Sequence, residues 1–170
     1  MSEIKFATIG TSKITKTFLS AASNVPEFKL EATYSRNIKN AIEFGTPYNV
    51  TKFYDSLKTL SEDRTIDAVY IASPNAFHCS QAIQMMKAGK HVLCEKSLAS
   101  NKKEAEEMFR TAAENNVILL EAMRPVFDPG MDAVKASLNK LGVIRRATLN
   151  YCQYSSRYDS FLQGQEHNIF

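Results

Sequence analysis

Short, almost continuous apolar runs recur along the chain and are separated by amphipathic stretches. The runs cover residues 4–9, 30–34, 68–72, 91–94 and 117–120. Each has the length of a strand, and few alternate between apolar and polar residues, which is typical of strands covered on both faces of a parallel sheet. Between the runs, apolar residues recur at helical spacing, as at Cys79, Ala82, Ile83 and Met86 and again at Ala105, Met108, Phe109 and Ala112. We therefore expect an α/β fold with a doubly wound parallel sheet.

The ends of several helices are marked by their residues. Gly89 follows one helical pattern as the expected C′ residue, since glycine adopts the left-handed conformation at little cost. Asp128 and Pro129 are the residue types of an N-cap and a first helical position, so a further helix should begin there. We expect Gly142 to close that helix after Leu141.

The pattern changes near the end of the chain. Residues 146–153 alternate between polar and apolar side chains, with Ala147, Leu149 and Tyr151 on one face. A period of two predicts a half-buried strand of the kind found in antiparallel sheets. The sequence predicts no partner for this strand, and an unpaired half-apolar strand tends to aggregate. We expect it to pair with another chain or, as we favour, with sequence that continues beyond residue 170.

Composition narrows the function classes. The 170 residues are 44% hydrophobic and 23% charged, and a net charge of +3 with no basic run longer than two residues argues against a nucleic-acid partner. No stretch approaches the roughly 20 apolar residues of a membrane span. The N-terminus lacks the pattern of a secretory signal. We expect a soluble, cytoplasmic protein.

The cysteines and histidines agree with this expectation. Cys79, Cys94 and Cys152 are odd in number and form no C-x-x-C pair, so we expect reduced thiols, with Cys94 in the core. The three histidines and three cysteines show no metal-ligand spacing, and no metal site is predicted.

The turn after the first strand is the first candidate site. It consists of Gly10, Thr11, Ser12, Lys13 and Ile14. Such a turn brings backbone N–H groups to a pyrophosphate at a helix N-terminus in dinucleotide-binding folds. Of the usual G-x-G-x-x-G/A pattern only Gly10 is present, with Ser12 and Thr15 at the other two positions. The turn is either a dinucleotide site, with the Ser12 hydroxyl donating to phosphate, or an ordinary strand–helix connection.

The second candidate site is Ser35-Arg36, at the end of the second strand. A site for NAD carries Asp or Glu here to hold the ribose hydroxyls, whereas an arginine favours the 2′-phosphate of NADP. We hypothesise NADP(H) as the cofactor, with NAD as the alternative, and Lys39 would add a second positive charge. The competing interpretation is a surface arginine at the start of a helix.

Two longer strings follow later strands and carry a family resemblance. They are Y-I-A-S-P-N-A-F-H over residues 70–78 and A-G-K-H-V-L-C-E-K over residues 88–96. They resemble the A-T-P-N-x-x-H and G-K-H-V-x-x-E-K-P strings of the Gfo/Idh/MocA oxidoreductases, and the resemblance runs from Ile4 to about Met123. The sequence departs from the family at the third glycine of the first motif and at Ser97, where the family has proline. Serine there frees one backbone dihedral angle and restores an N–H group.

The resemblance implies an organisation and an activity. It implies an NAD(P)-binding Rossmann domain over residues 1–123. Residues 124–170 would then be a linking helix and the start of a truncated α+β domain, whose antiparallel sheet binds substrate and joins a homo-oligomer. The activity implied is hydride transfer between nicotinamide and a secondary alcohol of a sugar, polyol or diol. No nucleic acid or membrane partner is expected.

The resemblance also assigns site residues. Lys96 takes the place of the family lysine beside the nicotinamide and the substrate hydroxyl, and Glu95 would orient Lys96 or contact the nicotinamide ribose. A lysine stabilises a developing alkoxide and, where it is desolvated, helps to take the hydroxyl proton. Further cofactor contacts are expected from Ala72, Ser73, Pro74, Asn75, His78 and Arg124, with His78 as a neighbour of the cofactor and not as the base.

Two other functions stay open at this point. A dinucleotide-binding module without turnover, such as a redox sensor or an inactive truncation, would bind the cofactor and transfer no hydride. A methyltransferase also uses a glycine-containing first loop, but it normally places an acid where Ser35-Arg36 stands. His167, in the polar tail, is not taken as a catalytic base.

Overall fold

A six-stranded parallel sheet organises the first of two compact units. The computed structural model describes residues 3–154 and 158–164, and the first unit ends at Ala122. The strands are β1 (Ile4–Ile9), β2 (Phe28–Tyr34), β3 (Lys52–Tyr54), β4 (Ala68–Ile71), β5 (His91–Cys94) and β6 (Leu119–Glu121). They lie in the order β3-β2-β1-β4-β5-β6, and every neighbouring pair is parallel. This is the strand order of the Rossmann fold, so the predicted doubly wound α/β fold is confirmed.

Five helices connect the strands of this unit. They are α1 (Lys13–Ala22), α2 (Ile38–Gly45), α3 (Leu57–Glu62), α4 (His78–Lys87) and α5 (Lys102–Glu114), with short 3-10 turns at Thr46–Tyr48 and Asn75–Phe77. Side chains cap three of the five: Asn37, Ser56 and Asn101 accept hydrogen bonds from backbone N–H groups in the first turns of α2, α3 and α5. These caps satisfy donors that a helix start leaves unpaired.

The two sides of β4 show how the sheet is covered. Val69 and Ile71 are fully buried in a core cluster with Met85 and Met86 of α4. Tyr70 alternates with them and points to the opposite face, where the ring of Phe18 in α1 stacks on it with centroids 3.9 Å apart. Because β4 is buried on both faces, it reads in the sequence as an unbroken apolar run.

The strand boundaries differ from the prediction in particular places. β3 has only three residues, K-F-Y, and so offers no apolar run to detect. β6 begins at Leu119, two residues later than predicted, because the N–H of Val117 still donates to Ala112 O at 3.0 Å and completes the end of α5. β2 begins at Phe28, two residues earlier than predicted.

The predicted helix ends are partly correct. Gly89 follows α4 with φ +78° and occupies the predicted left-handed C′ position. A further helix, α6 (Pro129–Leu138), begins as predicted, with the Asp128 side chain accepting from the N–H of Gly130 at 2.7 Å. The prediction that it runs to Leu141 is wrong, because separate turns with i→i+3 hydrogen bonds follow Leu138.

The second unit begins at Met123. It contains a 3-10 turn at Arg124–Phe127, then α6, and the short helix α7 (Tyr158–Leu162). The predicted strand over residues 146–153 is not formed, and Leu149 and Tyr151 are 93% and 87% exposed. The physical reason is that an extended segment becomes a strand only when a neighbour accepts its backbone hydrogen bonds, and no described strand lies against it.

The three cysteines are free thiols. Cys94 is buried, as predicted, and burial raises the pKa of its thiol to about 12, so the group stays protonated in the core. Cys79 is half-buried and Cys152 is exposed. Within residues 3–154 and 158–164, no helix combines the length and apolar character that crossing a membrane requires.

A charged cluster ties β3 to the loop that precedes β4. The Asp63 carboxylate accepts hydrogen bonds from Tyr54 Oη at 2.7 Å, Lys52 Nζ at 3.2 Å and the N–H of Thr65 at 2.8 Å. Burial alone would raise the pKa of the Asp63 carboxyl, but the hydrogen bonds from Thr65, Tyr54 and Lys52 together hold it well below its usual range. The cluster therefore stabilises the ionised form of Asp63.

We expect Asp63→Asn to lower the free energy of unfolding by about 1–3 kcal/mol at pH 7, because the partners of the carboxylate lose charge-assisted hydrogen bonds. The pKa of the Asp63 carboxyl lies below its unfolded value of about 3.9 in the folded protein. The stabilisation that the carboxylate provides is therefore fully present above about pH 5 and is lost as the pH falls through the folded-state pKa. Urea unfolding of both proteins at pH 7 and pH 3 should show a smaller difference at pH 3, because pH 3 lies below the unfolded pKa. An equal difference at both pH values would contradict the linkage, and exposed Asp55→Asn is the matched control.

Candidate functional site

A cavity of about 450 Å³ opens at the carboxyl edge of β1, β2 and β4. This edge is where ligands bind in doubly wound folds. The cavity is lined by Ile9, Gly10, Thr11, Ser12, Tyr34, Ser35, Arg36, Asn40, Leu57, Ala72, Ser73, Pro74, Phe77 and Gln81. The first and second candidate sites of the sequence therefore meet in one cavity with the loop that follows β4.

Gly10 sits where the turn after β1 touches the end of β4. Its φ is +110°, and a Cβ atom added there would lie 2.6 Å from Ala72 O and 2.8 Å from Ala72 C. The N–H of Ala72 also donates to Ile9 O at 2.8 Å. Only glycine allows both this backbone conformation and this close approach. Gly10 is the one glycine of the G-x-G-x-x-G/A pattern that this sequence keeps, and the turn depends on it.

The start of α1 faces the cavity with hydrogen-bond donors. Ser12 is the N-cap residue, and its side chain makes no capping hydrogen bond. Thr15, at the third position of the glycine pattern, is fully buried, and its hydroxyl donates to Gly10 O at 3.1 Å. Threonine therefore closes the turn from inside while the first N–H groups of α1 remain available to an anion.

The end of β2 supplies the positive charge of the cavity. Ser35 is held by a hydrogen bond from its N–H to Tyr54 O at 3.0 Å. The guanidinium carbon of Arg36 lies 5.9 Å from the ring centroid of Phe77, within the range of a cation–π contact. Arg36 is the one charged residue among the fourteen lining residues, which include no Asp or Glu. The cavity can thus hold an anionic group without a carboxylate that repels it.

The loop after β4 is fixed by side-chain hydrogen bonds. Ser73 Oγ donates to Gln81 Oε1 at 2.6 Å. His78 is fully buried, with Nε2 2.9 Å from Ser73 O and Nδ1 2.8 Å from Ser97 O. His78 therefore does not line the cavity but lies behind it, between the loops that follow β4 and β5.

Lys96 lies in the loop after β5 and its side chain is exposed. Glu95 is 8% exposed: its Oε1 accepts from Tyr70 Oη at 2.7 Å, and its Oε2 accepts from the N–H of Lys96 at 3.3 Å. The peptide bond between Lys96 and Ser97 is cis. Of the two roles expected for Glu95, these contacts match orientation of Lys96, through its backbone.

The structure brings together eight of the residues predicted from the sequence: Gly10, Thr11, Ser12, Ser35, Arg36, Ala72, Ser73 and Pro74. Lys13, Ile14, Asn75, His78, Glu95 and Lys96 lie in the same unit without lining the cavity. Arg124 belongs to the second unit, where it begins a 3-10 turn, so its expected cofactor contact remains a prediction. His167 lies outside the described residues.

Six further residues line the cavity that the sequence analysis does not assign to the site. They are Ile9, Tyr34, Asn40, Leu57, Phe77 and Gln81. Four of them stand in early turns of helical segments that follow the carboxyl edge of the sheet. The usable signal is therefore positional, since residues just after a parallel strand's end or early in the next helix face this edge.

No group of three or more His, Cys, Asp or Glu side chains in the described part of the chain is arranged to hold a metal ion.

Comparison with known proteins adds independent findings. The Gfo/Idh/MocA profile, described as an oxidoreductase family with an NAD-binding Rossmann fold, matches residues 4–123. The chain is 48% identical over 167 residues to scyllo-inositol 2-dehydrogenase (NADP(+)) of Bacillus subtilis (strain 168), covering 98% of this chain and 51% of the relative. It is 30% identical over 141 residues to trans-1,2-dihydrobenzene-1,2-diol dehydrogenase of Xenopus tropicalis, covering 82% and 43%.

A solved structure agrees with these matches. KijD10, a 3-ketoreductase from Actinomadura kijaniata in complex with TDP-benzene and NADP, superposes with a TM-score of 0.77 at 29% identity, covering 84% of this chain and 45% of that chain. The chain spans about half the length of the curated relatives it matches.

Proposed function

The chain belongs to the Gfo/Idh/MocA oxidoreductase family, and from that premise we propose that it binds NADP(H) and takes part in hydride transfer between nicotinamide and a secondary alcohol. The observation that carries the proposal is the cavity itself. The cavity contains a turn that only glycine can form. At the end of β2 it also contains a guanidinium group, and no carboxylate lines it. The substrate class proposed is a sugar, polyol or diol, since the relatives are named for an inositol and a dihydrodiol.

The proposed binding mode follows from the donors of the cavity. The pyrophosphate would lie at the start of α1, against the backbone N–H groups of the Gly10 turn and the Ser12 hydroxyl. A Cβ at residue 10 would push the end of β4 away, so the close approach of the turn is part of this site. Arg36 would bind the 2′-phosphate, and the cavity offers that phosphate no competing acid.

The proposed chemistry places Lys96 beside the reacting carbon. Bound nicotinamide supplies the hydride donor or acceptor. The Lys96 ammonium would stabilise the alkoxide that develops as the hydroxyl proton leaves, because a fixed positive charge favours the transition state over the neutral alcohol. Glu95 would keep Lys96 in place through the backbone hydrogen bond described above.

The organisation of the whole protein is also proposed. We assign residues 1–123 to the cofactor-binding domain and residues 124–170 to a linking helix and the start of a domain for substrate binding and homo-oligomerisation. The division of the chain near Met123 supports this assignment. A reducing, cytoplasmic setting is consistent with the three free thiols.

Replacing Arg36 with alanine tests the cofactor preference. A charge-assisted hydrogen bond is worth about 1.5–3 kcal/mol, so Arg36→Ala should weaken NADPH binding by about ten- to 150-fold. The affinity for NADH, which lacks the 2′-phosphate, should change by less than about threefold on the same reasoning. Titration of intrinsic cofactor fluorescence measures both constants.

Arg64→Ala is the matched control, because Arg64 is exposed and does not line the cavity. Equal affinities of the wild-type protein for NADPH and NADH would contradict the assignment of Arg36. Cofactor binding without hydride transfer to any member of a polyol and diol panel would favour the module without turnover. Binding of S-adenosylmethionine in place of either nucleotide would favour a methyltransferase.

A further inference from the structure

The loop that carries Lys96 is anchored at three successive residues by ionisable side chains. Glu95 Oε2 accepts from the N–H of Lys96 at 3.3 Å. His78 Nδ1 lies 2.8 Å from the carbonyl oxygen of Ser97. Glu121 Oε1 accepts from the N–H of Leu98 at 2.9 Å. Glu95 belongs to the loop itself, directly after β5, whereas His78 and Glu121 come from α4 and β6, so two separate elements hold this short loop from outside.

Glu121 owes its place in this arrangement to the register of the sheet. In the pairing of β5 with β6, Glu121 lies opposite Cys94. The N–H of the following residue, Ala122, donates to Cys94 O at 2.7 Å and fixes this register. The Glu121 side chain is thereby brought beside the chain that leaves β5. It is half-buried, where a charge-assisted hydrogen bond to backbone is stronger than in open water.

His78 connects the same loop to the cavity. Its second ring nitrogen faces Ser73 O at 2.9 Å, and Ser73 lines the cavity. In the neutral ring one nitrogen donates to one of the two carbonyl oxygens, and the imidazolium form donates to both. Because His78 is fully buried, its ring stands as a fixed spacer between the loop that touches the cavity and the loop that bears Lys96.

We propose that Glu121 and His78 are positioning residues for Lys96: Glu121 holds the Leu98 N–H from β6, and His78 sets the Ser97 carbonyl at a fixed distance from the Ser73 loop. The inference rests on the proposed role of Lys96 in hydride transfer. Neither residue lines the cavity, and each contacts the Lys96 loop at a backbone atom, so both would act on Lys96 through backbone. A displacement of about 1 Å in a reacting group costs on the order of 10²-fold in rate.

The test compares Glu121→Leu with Glu121→Gln in the whole protein. Leucine removes the acceptor for the Leu98 N–H, whereas glutamine keeps an acceptor oxygen at the same distance along the side chain. We expect Glu121→Leu to lower kcat by about 10²-fold while the NADPH dissociation constant stays within about threefold. Glu121→Gln should recover most of that loss. Glu114→Leu, on the exposed side of α5, is the matched control.

Two kinetic results would overturn the proposal. One is an unchanged kcat in Glu121→Leu. The other is a loss in Glu121→Gln as large as that in Glu121→Leu, which would mean that the charge of Glu121 matters and its hydrogen bond does not. His78→Phe, which keeps a ring of similar shape without donors, should likewise lower kcat and leave NADPH affinity nearly unchanged. A loss of NADPH affinity without a loss of kcat in this variant would contradict the role given to His78.

Amide hydrogen exchange separates this proposal from the proposed function. The Leu98 amide should exchange at least about tenfold faster in Glu121→Leu than in Glu121→Gln or the wild-type protein, because its acceptor is gone. If the wild-type protein transfers no hydride and the exchange rates still differ in this way, the proposed function fails and the anchoring stands. If the exchange rate of Leu98 does not respond to either substitution, the anchoring itself is refuted.

Discussion

Gly10→Ala is expected to lower the free energy of unfolding by about 2–5 kcal/mol and to weaken NADPH binding at least about tenfold. A left-handed conformation costs a residue with a Cβ about 1–2 kcal/mol, and overpacking against fixed atoms adds about 1–3 kcal/mol. The atoms in question belong to the backbone of Ala72, 2.6 and 2.8 Å from the added carbon. Backbone at the end of a buried strand cannot rotate away as a side chain would. Urea unfolding and cofactor titration measure the two effects.

Gly89→Ala is a control matched in conformation. Gly89 also has a positive φ, +78°, but a Cβ added there meets no atom within 4 Å. Gly89→Ala should therefore lower the free energy of unfolding by about 1–2 kcal/mol, from the backbone conformation alone, and leave the NADPH affinity unchanged. If both substitutions lower the free energy of unfolding equally, the close approach of Gly10 to the end of β4 does not contribute to the loss of stability. If Gly10→Ala binds NADPH like the wild-type protein, the turn is an ordinary connection and not a phosphate site.

Lys96→Gln is expected to lower kcat by about 10²–10⁴-fold, the range in which a group that assists proton transfer usually contributes. Glutamine keeps most of the side-chain length and removes the positive charge that would stabilise the alkoxide. Lys96 does not line the cavity, so the NADPH dissociation constant should stay within about threefold of the wild-type value. Initial rates of NADPH formation with a polyol substrate, together with cofactor titration, separate the two quantities.

Lys102→Gln serves as the control for a lost lysine charge. Lys102 is highly exposed at the start of α5 and pairs only with Glu106, one turn later, among the ion pairs of the described chain. Its loss should leave kcat unchanged. A Lys96→Gln protein with wild-type kcat would remove Lys96 from the chemistry. A large loss of NADPH affinity in that variant would instead make Lys96 a cofactor ligand.

The sequence predicts this fold well because buried parallel strands leave a strong local signal. β4 is apolar and buried throughout, and β1 and β5, which pair with it, are mostly apolar. β3 leaves no such signal, and the apolar run at β6 begins two residues before the strand does. β3 has three residues at an edge, and the residues before β6 complete the end of a helix. Residues 146–153 show the converse case: their side chains alternate between polar and apolar, but no described strand pairs with them.

The candidate site was predictable where backbone alone defines it. Gly10, Ser12, Ser35 and Arg36 stand at fixed offsets from strand ends, and strand ends can be read from the sequence. Phe77 and Gln81 line the cavity from the helical segments after β4, and which residues of these segments face the cavity depends on how the segments pack on the sheet. Glu121 is harder still to identify from sequence, since its contact with the Leu98 N–H depends on the register between β5 and β6.

The two outermost strands of the sheet are among its shortest. β3 and β6 have three residues each, and the Lys52 side chain of β3 is engaged by Asp63 and Glu31. A short edge that bears a lysine offers little template for another strand, which is how natural sheets guard against edge-to-edge association. The first unit thus offers little backbone template for growth of its sheet at either side. Ordered self-assembly through this unit would have to be specified by side-chain surfaces, with little contribution from backbone pairing at these edges.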